Sequence, residues 1–264
     1  MRLRLISAAV GIPLLVVAIW LGNPWFGVLL TAVALAAGLE FLNLAPRAEA
    51  HPLRLLGLLF ILLFTLNGFA FTGADYAAPL LSGAVVLSLL LLLARGNTEG
   101  AALGWAWTLA GILYVGWTLG HAARLEVRPD GPRWLLFVLF ATFAVDTAAF
   151  AVGRAIGRRR LAPSISPGKT WEGAIAGLLA GLVAAPVLGA LLGLPLSLVE
   201  SAALGVAISI AAQLGDLAES LLKRSAGVKD AGGIIPGHGG VLDRYDSIVI
   251  PLLLVYYYVI LSKG

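Results

Sequence analysis

The sequence has no cysteine, three histidines and a single methionine. Without Cys there is no disulfide, no thiolate nucleophile and no Cys-ligated zinc. Charge is scarce too: Asp, Glu, Lys and Arg make up 12% of the 264 residues, against about 25% in a soluble domain. The net charge of +4 is modest. The basic residues gather in a few loops rather than along one stripe, which suits membrane orientation and phosphate ligands and argues against a nucleic-acid partner. What fills the chain instead is apolar: 60% of residues are hydrophobic. The expected fold class is all-α, a polytopic integral membrane helix bundle.

A membrane helix needs about 20 mostly apolar residues. Nine stretches qualify as candidates: 5–21, 25–44, 53–72, 78–94, 101–119, 133–152, 171–192, 196–217 and 247–261. Turn-like breaks such as Gly22-Asn23-Pro24, Arg95-Gly96-Asn97 and Asp130-Gly131-Pro132 separate them. The break before Leu196 is the weakest, so the helices on either side of it form two spans or one bent hairpin. The first run exceeds the roughly 7–15 residues of a signal-peptide core and is expected to be a retained anchor rather than a cleaved signal. With the N-terminus inside, all but four (Arg124, Arg128, Arg133 and Lys263) of the 18 Lys and Arg fall on the cytoplasmic side. The polar loops 153–170 and 218–246 then face the cytoplasm, where nucleoside triphosphates are. Residues 1–125 are expected to supply packing and oligomerisation, and 126–264 the catalytic region, as one continuous membrane domain.

The first five helices offer little chemistry. Glu40 is read as structural or interfacial, and His51 and His121 as solvated loop residues. Gly116 and Gly120, and Gly173, Gly177 and Gly181, recur at four-residue spacing, which lets helix backbones approach closely.

Polarity is concentrated in residues 220–246, S-L-L-K-R-S-A-G-V-K-D-A-G-G-I-I-P-G-H-G-G-V-L-D-R-Y-D. Lys223, Arg224, Lys229 and Arg244 are candidates to hold phosphates. Asp230, Asp243 and Asp246 are candidates to hold a hard cation. The glycines, Gly232, Gly233, Gly237, Gly239 and Gly240, are read as leaving backbone N–H groups open to a ligand. Such polar density beside membrane helices marks a functional site. Asp216 precedes it; if that helix continues, Asp216, Ser220 and Arg224 share one face, and Glu219 and Lys223 form a second pair. Asp243 and Asp246 are expected to share a face at the start of the last helix, so that carboxylates from the last two helices converge. His238 is read as shaping the loop or donating to a phosphate.

Two upstream segments join this set. Asp146 lies late in a membrane helix, where a carboxylate needs the protein interior and a partner. Ser166-Pro167-Gly168-Lys169-Thr170 places two hydroxyls and an ammonium just before a helix N-terminus, which favours phosphate. It is not a P-loop, because the spaced first Gly and a preceding strand are missing.

These segments carry a family resemblance. Residues 220–246, with V-D-T-A-A-F-A-V-G-R, I-S-P-G-K-T-W-E-G and Q-L-G-D-L-A-E-S upstream, resemble the phosphatidate cytidylyltransferase (CDP-diacylglycerol synthase) family. The likeness is clear in the C-terminal half and rests on helix count in the N-terminal half. One departure is Phe150, where that family has Tyr. The resemblance implies that CTP and phosphatidic acid give CDP-diacylglycerol and pyrophosphate, with Mg2+, room for a monovalent cation such as K+, a homodimer and a bacterial-type inner membrane.

On this reading Asp216 and Asp246, then Asp243 and Asp146, hold the metal. Lys169, Lys223, Arg224, Lys229 and Arg244 neutralise the phosphates. Ser166, Thr170, Ser220, Asp230, His238, Gly239 and Gly240 complete the substrate contacts. Two alternatives stay open: a CTP-dependent lipid kinase of the polyprenol type, and a transporter of an anionic substrate.

Overall fold

The computed structural model describes residues 2–46, 49–70, 76–235 and 239–263. His238 and Gly237, singled out by sequence, lie outside the described residues, as does Arg47. The chain is built of helices, with one two-stranded hairpin. Six helices are long and apolar enough to cross a membrane, and three shorter apolar helices accompany them: Ala9–Leu21, Arg54–Phe69 and Asp246–Ser262. The protein is therefore an all-α integral membrane protein, with six helices rather than nine meeting the length and hydropathy of a span among the described residues.

The chain divides into two compact units. The first is Met1–Arg128 with Ala226–Arg244, and the second is Pro129–Ser225 with Tyr245–Gly264. The segment Ala226–Arg244, which sequence groups with the C-terminal region, packs within the first unit.

In the first unit, α1 (Arg2–Leu21), α2 (Trp25–Leu44), α3 (Arg54–Ala70) and α4 (Ala77–Arg95) are followed by one long helix. That helix runs as α5 (Ala101–Gly111), a π-helical segment (Ile112–Trp117) and α6 (Thr118–Glu126). α3 is central, packing on α2, α4, α5, α6 and the π segment. Phe60, Phe64, Ala77, Ala84 and Ile112 form a buried cluster there. Lipid is as apolar as Leu, so close backbone fit rather than hydrophobic transfer holds such helices together. Gly116 supplies that fit: a Cβ there would meet Ile61 Cα at 2.8 Å.

His121, expected in a loop, is buried in α6, and its Nδ1 lies 2.6 Å from Trp117 O. The helix runs past Leu119 to Glu126 although polar residues lower the local hydropathy there. His51 stands exposed in a loop, as expected.

In the second unit, α7 (Gly131–Ile156) leads into strands β1 (Arg160–Ala162) and β2 (Ser166–Thr170), then α8 (Trp171–Leu191), α9 (Leu198–Ser225) and α10 (Asp246–Lys263). The weak break before Leu196 separates two distinct helices. Gly193, at φ 64°, turns the chain, and a reciprocal cap starts α9. Glu200 N donates to Ser197 Oγ at 3.2 Å, and Ser197 N to Glu200 Oε2 at 2.8 Å. The buried positions of α8 are Gly173, Gly177, Gly181, Ala185 and Gly189, a small residue at every fourth place. They bring its backbone against its neighbours: a Cβ on Gly177 would meet Val145 O at 3.2 Å, and one on Gly181 would meet Gly205 O at 2.6 Å.

Both polar loops are more ordered than the sequence suggests. α9 continues to Ser225 instead of ending near Leu217, so the stretch expected as a loop from 218 begins as helix. The Ser166–Thr170 segment is itself the second strand of an antiparallel hairpin, paired with Arg160–Ala162. The fixed φ of Pro167 and the absence of a continuous apolar run hide that strand from a reading of the sequence.

Candidate active site

In the second unit, side chains from α7, β2, α9 and α10 converge. Thr170 ends β2 and caps α8, its Oγ1 accepting from Gly173 N at 3.2 Å. Such a cap contributes about 1 kcal/mol. It also fixes where Lys169, one residue earlier, can reach. Lys169 Nζ pairs with Asp216 Oδ2 at 2.7 Å and lies 3.5 Å from Gln213 O. One turn on along α9, Ser220 Oγ donates to Asp216 Oδ1 at 3.3 Å. The continuation of α9 thus produces the Asp216–Ser220 face that the four-residue spacing predicts.

Asp246 opens α10, and its Oδ1 accepts from Ser247 N at 2.8 Å. Ser247 Oγ donates to Asp146 Oδ2 on α7 at 2.8 Å. Asp146, Asp216 and Asp246 stand close enough to repel one another, while Lys169 attracts Asp146 and Lys223 attracts Asp246. The approach of α9 to α10 depends on Gly215, where a Cβ would collide with Asp246 O.

Lys223 is buried with Glu219, Nζ to Oε1 at 3.0 Å, with side-chain exposures of 9% and 0%. Its ammonium is thereby a built-in counter-charge beside Asp246, not a freely extended phosphate ligand. Arg224 is exposed, and its Nε donates to Ile165 O at 3.3 Å, tying α9 to the hairpin turn. Ser166 lies within β2, partly exposed.

The remaining predicted residues belong to the first unit. Lys229, Asp230 and Arg244 are exposed. Asp243 is not on a helix face with Asp246. It sits in a 3-10 turn, Leu242–Arg244, with 7% exposure. Its carboxylate accepts from Ala231 N at 3.0 Å and from Gly240 N at 2.8 Å. Gly240 N–H is therefore used by the protein itself rather than left open. Gly239 has φ 86°, a left-handed conformation that favours glycine.

Sequence reasoning passed over Ser247, Gln213 and Gly215. Ser247 and Gly215 adjoin residues it did select, and Gln213 and Gly215 stand in the quoted Q-L-G-D segment. The cue available was adjacency to a carboxylate within a polar stretch.

As a donor set, Asp146, Asp216 and Asp246 are hard oxygens with more negative charge than Lys169 offsets. Among the described residues no three acidic or His side chains form a ready-made metal cage. Mg2+ takes one or two carboxylates and fills its octahedron with water and substrate phosphate oxygens, and the oxygens of Asp216 and Asp246 are donors of that kind.

Comparison with known proteins points the same way. A family model described as "Cytidylyltransferase family" matches residues 2–262. A "Phosphatidate cytidylyltransferase" of Brucella suis biovar 1 (strain 1330) is 32% identical over 261 residues, covering 97% of this chain and 92% of that protein. A protein of the same name from Brucella abortus (strain 2308) has the same identity and coverage. Another of that name, from Staphylococcus saprophyticus, is 39% identical over 150 residues, covering 56% of this chain and 57% of its own length.

Proposed function

The chain belongs to the cytidylyltransferase family, and we propose that this nucleotidyltransferase of phosphatidate works through the carboxylate cluster of its second unit. The reaction is CTP plus phosphatidic acid giving CDP-diacylglycerol plus pyrophosphate. A non-bridging oxygen of the lipid phosphate attacks the CTP α-phosphorus. The bond from that phosphorus to the β-phosphate oxygen breaks, and its electron pair leaves with pyrophosphate. A phosphate monoester has its second pKa near about 6, so the nucleophile is largely a dianion at neutral pH and needs no strong base. The barrier is the approach of two anions, and charge neutralisation with in-line positioning lowers it.

The convergence of Asp146, Asp216 and Asp246 on one another, with Lys169 against Asp216, supports this reading most directly. Asp216 and Asp246 would hold Mg2+, with Asp146 beside them, and K+ is a candidate second cation. When bound, Mg2+ supplies Lewis-acid neutralisation of phosphate oxygens. Lys169 holds one anion at the carboxylate cluster. Ser220 and Ser247 fix the rotamers of Asp216 and Asp146 through their hydroxyls. Glu219 holds Lys223 in place at 3.0 Å, so that Asp246 is not left with carboxylates alone. Lys229 and Arg244 are exposed and remain candidates for phosphate contact, as Ser166, Arg224, Asp230, Gly239 and His238 do for substrate contact. Asp243 spends both oxygens on backbone amides, which favours a loop-building role over a metal-binding one.

The site is proposed to face the cytoplasm of a bacterial-type inner membrane, in line with the distribution of Lys and Arg, and the family resemblance implies a homodimer. The test is to incubate purified protein with labelled CTP, phosphatidic acid and Mg2+. Pyrophosphate and a CDP-lipid should appear only when both substrates are present. CDP with a newly phosphorylated lipid would instead identify the polyprenol-type kinase, and pyrophosphate from CTP and water alone would contradict the proposed attack.

A further inference from the structure

Glu40 has no part in the chemistry above, yet it is a carboxylate on α2 with only 4% exposure. Burying a carboxylate is costly unless its oxygens are bonded. Leu242 N donates to its Oε2 at 2.9 Å. The Val241 and Ile234 amides face the same carboxylate. Its other oxygen, Oε1, is buried with no hydrogen bond among the described residues, and the amides facing the carboxylate lie in the Gly-rich segment of the first unit, residues 231–235 and 239–242.

Two glycines of that segment take their identity from this side chain. A Cβ on Gly232 would stand 2.6 Å from Glu40 Cδ, and one on Gly240 would stand 2.8 Å from the same atom. Glu40 fills the space that a side chain at either position would enter. Asp243 does the complementary work within the segment, accepting from Ala231 N and Gly240 N. Two acids, one from α2 and one from the loop's own 3-10 turn, thus pin amides at 231, 240 and 242. The segment between Lys229 and Arg244 is held from both ends.

From this geometry we infer that Glu40 is a positioning residue, a buried anchor on α2 that fixes the glycine loop and so the placement of Lys229 and Arg244 for substrate phosphate. This rests on the proposed role of those two cations. The anchor acts through hydrogen bonds to main chain, so an isosteric acceptor should replace it. It also requires coupling to Gly240, since the two share one space.

The experiment uses the full-length protein in detergent, with amide hydrogen exchange read at Ala231, Gly240 and Leu242 and with steady-state kinetics for CTP and phosphatidic acid. Glu40→Ala should raise exchange at those amides while α7 to α10 keep their protection. It should lower kcat/KM about 10- to 100-fold, the weight of a hydrogen bond to a charged group. Glu40→Gln, which keeps an acceptor oxygen, should restore exchange and lie within about threefold of the native rate. Gly240→Ala should damage the native protein but have much less effect in the Glu40→Ala background, a non-additive cycle.

Unchanged exchange and kinetics in Glu40→Ala would overturn the inference. So would a Glu40→Gln variant as impaired as Glu40→Ala, or additive effects of Gly240→Ala. If Glu40→Ala does not fold, Gly240→Ala alone decides: native exchange and rate there refute the anchor. Failure of the native protein to form a CDP-lipid would instead refute the proposed reaction, while the exchange data still judge Glu40.

Discussion

Lys169 and Asp216 are joined at 2.7 Å across the end of a short hairpin and the body of α9. Both side chains keep substantial access, at 22% and 34% exposure. A pair of this kind contributes only about 0–1 kcal/mol to stability, so its value lies in what it places at the carboxylate cluster. Lys169→Met should therefore leave the thermal midpoint nearly unchanged while lowering kcat by about 100-fold or more, the scale of losing one preorganised charge in a transition-state site. Paired thermal-shift and turnover assays separate the two effects; a large stability loss with modest loss of turnover would mark the pair as structural.

Asp216→Asn and Asp246→Asn should each lower turnover about 100-fold or more, with the protein still inserted and folded. Chelation of divalent ions should silence the native enzyme, and added Mg2+ should restore it. A Mg2+ titration of residual activity is the sharper measurement. Both variants should need more Mg2+ for half-saturation than the native protein, and near-native activity in either would remove it from the metal set.

The buried Glu219–Lys223 pair predicts the opposite pattern to Lys169. Breaking a buried pair by removing one partner costs about 3–5 kcal/mol, less whatever compensation Lys223 keeps from its attraction to Asp246. Glu219→Ala should thus lower the thermal midpoint clearly, before any question of activity arises. Glu219→Gln, which keeps a hydrogen-bond acceptor, should fall between. A Glu219→Ala protein as stable as the native one would contradict the geometry.

Gly215→Ala tests the contact between α9 and α10. The added methyl would strike Asp246 O, and overpacking of this sort costs about 1–3 kcal/mol. Helix content by circular dichroism should persist while turnover falls, because Asp246 is displaced from Asp216. Undiminished turnover would show that the two helices adjust without moving the carboxylates.

The apolar runs made most of the helices legible, because a membrane helix leaves a long and unambiguous trace. The polar ends were harder. α9 runs past Leu217 to Ser225 because good helix formers and the Glu219–Lys223 spacing sustain it after hydropathy falls. The hairpin before α8 is too short, and too rich in Pro and Gly, to show a two-residue period. Asp243 and Asp246 looked like one helix face at three-residue spacing, yet a 3-10 turn ends between them. Sequence reading expects carboxylates of the last two helices to converge, although Asp216 lies in the body of α9 rather than at its end. The weight of Glu40 was not, since its partner Leu242 lies 202 positions away and no local pattern encodes such a pairing.

The run of small residues along α8 has a practical consequence. Gly173, Gly177, Gly181, Ala185 and Gly189 offer almost nothing to truncate, so side-chain deletion is blind to the surface that seats this helix, and alanine reports on it at the glycines only by adding a methyl. Only enlarging substitutions can report on it. A survey built on deletion would score α8 as dispensable even though its fit against neighbouring backbone sets where the catalytic helices stand.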